Sequence, residues 1–127
     1  MATSFKELRV WQNAMDLAMD VFHLTKTFPV EERFALTDQM RRSSRSIAAN
    51  ISEAWRKRRY VASFVSKLSD SEQEAAETQT WTEFARRCGY CSDETAKQID
   101  DRLEEILSQL RTMIRDADRW CLASGTR

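Results

Sequence analysis

Only three of the 127 residues are glycine or proline: Pro29, Gly89 and Gly125. A sheet protein reverses direction every few residues, and its tight turns draw on glycine for positive φ and on proline for a fixed φ. A chain this poor in both is confined to a few long helices joined at few places. Pro29 and Gly89 mark two of the joints, and the spacing of the apolar residues marks the rest.

A first helix is expected from Phe5 or Leu8 to Thr27, closed by Phe28-Pro29, because proline disfavours helical geometry in the residue before it. It carries two apolar stripes: Trp11, Met15, Ala18 and Phe22 in one, and Val10, Leu17, Val21, Leu24 and Phe28 in the other. Together they are wider than the roughly 100° a surface helix needs, so one can face a core while the other meets something else. A second helix is expected to start near Glu31 or Glu32, whose charges suit a helix N-terminus. Leu36, Met40, Ser43, Ile47, Ile51 and Ala54 form its seam, and Gln39, Arg42, Ser46, Asn50 and Glu53 a polar stripe beside it. The segment from Trp55 to Tyr60 joins it to a third helix, by a bend or by continuing helix. The third helix has a narrow seam, Phe64, Leu68, Ser71, Ala75, Thr78, Thr82 and Ala85, and ends at Cys88 with Gly89 as its left-handed cap. The fourth opens with Ser92 as N-cap and repeats Ile99, Leu103, Ile106, Leu110, Met113, Ala117 and Trp120 in steps of four and three. Short connections make neighbours antiparallel, giving one all-α domain over residues 1–127, an up-down-up-down four-helix bundle. The tryptophans, Trp11 and Trp81 among them, are expected as core or interface bulk.

Little in the chain announces catalysis. A di-iron bundle needs Glu-x-x-His pairs, and the single histidine, His23, follows Asp20 rather than a glutamate three residues earlier. Two glycines leave no Gly-rich phosphate loop. Cys88-Gly89-Tyr90-Cys91 is a C-x-x-C at the end of a helix, where the dipole works against a thiolate, so it reads first as a helix–helix turn with buried thiols. Asn50 and Glu53 lack a second acid or nucleophile and are expected in a buried hydrogen-bond or salt-bridge network, with Glu53 meeting an arginine of a neighbouring helix. No catalytic residue, metal or cofactor is expected. Three cysteines, the absence of a run near the roughly 20 apolar residues that span a bilayer, and an N-terminus without an apolar signal core point to a cytoplasmic protein with no membrane partner.

Charge is the stronger signal. Between residues 41 and 67 stand eight basic residues (Arg41, Arg42, Arg45, Arg56, Lys57, Arg58, Arg59 and Lys67) against Glu53 alone. Residues 68 to 105 carry eleven acidic against four basic, so the formal net charge of zero conceals two opposed fields. Arg41, Arg42, Arg45 and the run Arg56, Lys57, Arg58 and Arg59, flanked by Trp55 and Tyr60, offer phosphate contacts beside rings on which bases stack, as RNA or single-stranded DNA binding requires. The competing reading pairs the basic helix with the acidic ones, within the chain or between subunits, in a scaffold that docks a protein partner. Composition leaves the two evenly matched.

The run Phe5-Lys6-Glu7-Leu8-Arg9-Val10-Trp11-Gln12, the Phe28-Pro29 stop, Leu36-x-x-Gln39-x-Arg41-Arg42, Ser46-Ile47-x-x-Asn50-Ile51-x-Glu53, Glu77-Thr78-Gln79-x-Trp81-x-x-Phe84-Ala85 and Cys88-Gly89-Tyr90 together resemble the four-helix bundle family encoded in intervening sequences of bacterial 23S ribosomal RNA genes. Where that family has glycine after the glutamate of the Asn-Ile-x-Glu motif, this chain has Ala54, which favours a more continuous second helix. The resemblance implies a homo-oligomeric ring, a pentamer, with no enzymatic activity. The accessory variability-determinant proteins of diversity-generating retroelements, similar in fold, are basic rings that bind nucleic acid and a reverse transcriptase. The family has no agreed catalytic residues, and its motif positions Gln39, Arg42, Asn50 and Glu53 fall on the polar stripe, where they read as structural or interfacial.

Overall fold

The computed structural model describes residues 2–122. A turn of 3-10 helix at Phe5–Glu7, capped by Ser4, leads into α1 (Arg9–Thr25). A second 3-10 turn at Val30–Glu32 precedes α2 (Leu36–Arg56), and α3 (Val61–Arg87), α4 (Asp93–Arg115) and the short α5 (Ala117–Trp120) follow. There is no strand among the described residues, and α1 to α4 pack as an antiparallel bundle in which α1 lies against α2 and α4, and α3 against α2 and α4. No described helix is long and apolar enough to cross a membrane.

The joints show how the chain turns with so few special residues. Thr25 bonds back to the carbonyls of Val21 and Phe22 in the last turn of α1, which ends two residues before the expected Thr27. The start of α2 also differs from expectation. Glu32 does not open the helix; its carboxylate stands outside and accepts from the Leu36 backbone N–H at 3.3 Å, filling one of the N-terminal donors left without a helical partner. Its other oxygen accepts from the Tyr90 hydroxyl at 2.8 Å, tying the α1–α2 loop to the α3–α4 loop, and this bond pushes the Tyr90 phenol up to about 12.

The junction left open by the sequence is a turn. α2 runs unbroken through Ala54 to Arg56, and Lys57 to Tyr60 reverse the chain with Tyr60 in an extended conformation before α3. Gly89 then closes α3 at φ 77°, with the Gly89 N–H bonded to the Arg86 carbonyl and the Tyr90 N–H to the Ala85 carbonyl, a Schellman closure that a side chain at 89 would strain. The Ser92 hydroxyl caps α4 by accepting from Thr95 N–H at 3.0 Å. The four-three rhythm of α4 breaks at Asp116, and α5 carries Cys121 into the core before the Leu122 N–H bonds the Arg58 carbonyl at 2.9 Å.

The core is the one the seams describe. Every seam residue expected for α3 is buried, and Phe64, Leu68 and Ala75 are fully so. Between α2 and α3 the filling is small and polar: the Ser43 and Thr78 hydroxyls lie 2.8 Å apart, and the Ser71 hydroxyl donates to the Ile47 carbonyl at 2.9 Å. Each buried hydroxyl thereby keeps a hydrogen bond while its small volume lets the helices approach closely. On α1 it is the Val10, Leu17 and Val21 stripe that enters the core, with Leu17 and Val21 fully buried. Met15 and Met19 stay partly in solvent.

Candidate nucleic-acid interface

Arg41, Arg45, Ser52 and Arg56 recur along α2 at steps of four, seven and four, which places them on one face of the helix. That face meets α1, because the Trp11 indole N–H donates to the Ser52 hydroxyl at 3.0 Å. The Trp11, Met15, Ala18 and Phe22 stripe of α1 therefore runs beside the arginines. Phe22 lies among three cations, with Lys26 Nζ 4.5 Å from the ring centre and the guanidinium carbons of Arg41 and Arg45 at 4.9 Å and 5.9 Å. Arg41 is further held by donating to the Thr25 hydroxyl at 2.7 Å. At the other end, Arg56 lies 6.0 Å from the Phe5 ring, which packs edge-on against Trp11. Arg58 stacks 3.4 Å over Trp55 and donates to the Trp55 carbonyl. Burial there lowers the Arg58 guanidinium from its ordinary value, Arg56 adds to this, and Cys121 opposes it.

The basic residues thus form two clusters rather than one strip. One surrounds Phe22; the other follows the end of α2, and Arg45 and Arg56 are about 17 Å apart along the axis. Among the described residues, none of Arg41, Arg45, Arg56, Lys57 and Arg58 forms an ion pair with a carboxylate. Arg42 lies off the α1-facing side and pairs within its own helix, 3.7 Å from Asp38. Lys67 of α3 reaches across to α2, 3.5 Å from Glu53. A guanidinium resting on a ring keeps its edge donors available and has lost part of its rotational freedom in advance, which suits it to grip a phosphate.

The buried polar network expected around Asn50 and Glu53 is not formed. Asn50 is half-buried and its amide donates to the Ser46 carbonyl one turn back; Glu53 is exposed and meets a lysine of α3 rather than an arginine. Both stand at the outer edge of the α2–α3 contact, where water reaches them. Gln39 and Trp81, by contrast, line one groove between the start of α2 and the end of α3. Of the C-x-x-C, Cys88 is exposed and Cys91 half-buried, and burial raises the Cys91 thiol, opposing thiolate formation. Among the described residues no cluster of three or more His, Cys, Asp or Glu side chains is gathered to hold a metal.

The acidic residues occupy other helices. α3 and α4 together hold eleven acidic against seven basic residues, whereas residues 36–59 hold seven basic against two acidic. On α3, burial raises the Glu74 carboxyl and the nearby Glu77 adds to this. Gln79 donates to both Asp100 and Glu104 of α4. Thr25 and Lys26 were not singled out in the sequence, and Phe5 and Phe22 only as the helix start and part of an apolar stripe, not as partners of the arginines; Phe22 and Lys26, one turn apart, were the available signal.

The same motifs and fold have relatives. A model of the 23S rRNA-intervening sequence protein family matches residues 6–112. The chain belongs to that family. A solved relative, the crystal structure of a protein with unknown function from the S23 ribosomal protein family of Bacteroides thetaiotaomicron VPI-5482, is 32% identical. It superimposes with a TM-score of 0.76 over 84% of this chain and 95% of its own. No curated protein matches the sequence. The solved relative shares the helical fold; the arginine–aromatic face is read from this chain's own geometry.

Proposed function

We propose that this family member is a non-enzymatic bacterial protein of the cytoplasm that assembles into a ring, a pentamer, and binds RNA or single-stranded DNA through the arginine–aromatic face of α2 and the turn that follows it. The observation that carries this reading is the placement of Arg41, Arg45, Arg56 and Arg58 against Phe22, Phe5 and Trp55 instead of against carboxylates. Arg41, Arg45, Arg56 and Arg58 are not consumed by the acidic helices within the chain, so their donors remain for phosphates; of the two rings flanking the basic run, Trp55 is buried under Arg58 and only Tyr60, half in water, offers a stacking surface for a base. Arg45 and Arg56 are the informative residues to change, since both are exposed, whereas Arg58 is built into the α2–α3 turn.

Fluorescence anisotropy of a labelled structured RNA and a single-stranded DNA across a salt series tests the proposal. Wild type is expected to bind with an affinity that falls as salt rises. Arg45→Glu with Arg56→Glu is expected to remove most of the binding and to flatten the salt dependence, because each phosphate contact contributes about −0.7 to the slope for a single strand. Equal affinity in the double variant would refute this interface. The segregation of acidic residues onto α3 and α4 favours a second reading, in which unlike faces pair between subunits and the ring docks a protein. There the same charge reversal breaks the assembly, which light scattering detects.

A further inference from the structure

At the end of the bundle away from Phe5, a groove of about 310 Å³ opens between the start of α2 and the end of α3. Ala35, Leu36 and Gln39 form one wall and Trp81 and Phe84 the other, with Glu32 at the rim. The Trp81 indole N–H is buried with no acceptor, unlike that of Trp11, and a buried donor left without a partner costs about 1–3 kcal/mol. Phe84, tilted against Trp81, is 52% exposed. In the turn that supplies Glu32 and Ala35, Phe34 projects with 84% of its surface in water and Val30 with 82%. Single exposed apolar residues are ordinary; three large ones around one apolar groove with an unsatisfied donor mark an interaction surface.

The occupant that fits is a second copy of this chain. Each copy carries a projecting phenylalanine with the Arg33 guanidinium 5.1 Å from its ring, and each carries an apolar groove rimmed by the Glu32 carboxylate. The cation beside the knob matches the anion beside the socket, and a formal net charge of zero puts no long-range repulsion between copies. We propose that Phe34 of one copy inserts into the Gln39–Trp81–Phe84 groove of the next, and that this knob-in-groove contact joins the subunits of the ring. It rests on the self-assembly put forward above and assigns its contact. Each copy donates one phenylalanine and receives one, so the contact repeats around a closed assembly where the rotation between neighbours allows it.

Phe34→Glu and Phe84→Glu test the contact, both at exposed positions, with far-UV circular dichroism confirming retained helix. Light scattering over a concentration series is expected to show a multimer for wild type and monomers for each variant. Losing one buried phenylalanine from every junction weakens association by at least about tenfold. The two variants mixed in equal amounts are expected to give a mass of two chains, because Phe84→Glu retains the knob and Phe34→Glu retains the groove. A monomeric wild type overturns this contact and the ring together. A variant that keeps the wild-type mass overturns the contact and leaves the ring standing. A mixture that stays monomeric overturns the pairing of knob with groove.

Discussion

The buried hydroxyls between α2 and α3 supply a sharp test of how this bundle is held together. The Thr78 hydroxyl lies 2.8 Å from that of Ser43 and 2.9 Å from the Glu74 carbonyl, while Ser43 has only one other bond, a long one of 3.4 Å to the Met40 carbonyl. Ser43→Ala leaves Thr78 with its carbonyl partner and is expected to cost about 1 kcal/mol, the net worth of one hydrogen bond. Thr78→Val keeps the volume but removes both of its bonds and leaves the Ser43 hydroxyl in the core with only its long bond to Met40, so about 2 kcal/mol is expected. The double variant removes the poorly bonded Ser43 hydroxyl as well and should cost about 2 kcal/mol, roughly 1 kcal/mol less than the sum of the single changes. For 127 residues, with an unfolding entropy of about 2.1 cal/mol/K per residue, each kcal/mol lowers Tm by about 4 °C. Urea unfolding followed by far-UV circular dichroism, at one fixed protein concentration because any self-association would add to apparent stability, measures all four proteins. Additive losses within about 0.3 kcal/mol would refute the coupling and with it the view that this seam is a hydrogen-bonded unit.

Two further perturbations address electrostatics and the α3 cap. Hydrogen bonds from Arg86 and Arg87 hold the Glu83 carboxyl at about 2, well below the ordinary carboxylate range. The stability it contributes is therefore complete above the unfolded value, about 4.3, and is lost as pH falls through about 2. The gap in unfolding free energy between wild type and Glu83→Gln should shrink between pH 6 and pH 2; a gap that stays constant over that range rules out the assigned partners. Gly89→Ala puts a β-carbon at φ 77° with nothing within 4 Å, so its cost is conformational alone, about 1 kcal/mol. An unaltered Tm for that variant means the left-handed cap contributes nothing.

The fold was legible because helical periodicity and buried faces are the same fact seen twice. The seam from Phe64 to Ala85 reads as core despite its serines and threonines, since small hydroxyl residues at steps of four and three can satisfy themselves on a carbonyl of their own or the facing helix. The start of α2 was misjudged because an acidic residue before a helix serves equally well inside the first turn or as an external acceptor, and only the loop path decides; Glu32 took the outer role. The Trp55–Tyr60 junction was undetermined because its turn uses no glycine or proline. The charge run was plain in the sequence, but its division into two clusters depends on which N-terminal residues stand opposite, a relation 16 to 51 positions apart in the chain. Asn50 and Glu53 misled because a polar stripe beside a seam looks the same whether a neighbouring helix covers it or water does.

The separation of sign between α2 and the α3–α4 pair also decides how this molecule meets a polyanion at a distance. With a formal charge of zero it has no monopole to draw it inward, only a dipole across the bundle, whose pull falls off faster and depends on orientation. At physiological salt even that is screened beyond about 8 Å. Under the proposed function, capture of a nucleic acid would begin at near contact, after rotation has brought α2 to the front, without the electrostatically accelerated encounter open to a uniformly basic protein. A molecule binding in that way would spend little time on bulk nucleic acid and would gain occupancy chiefly where several copies present the same face together.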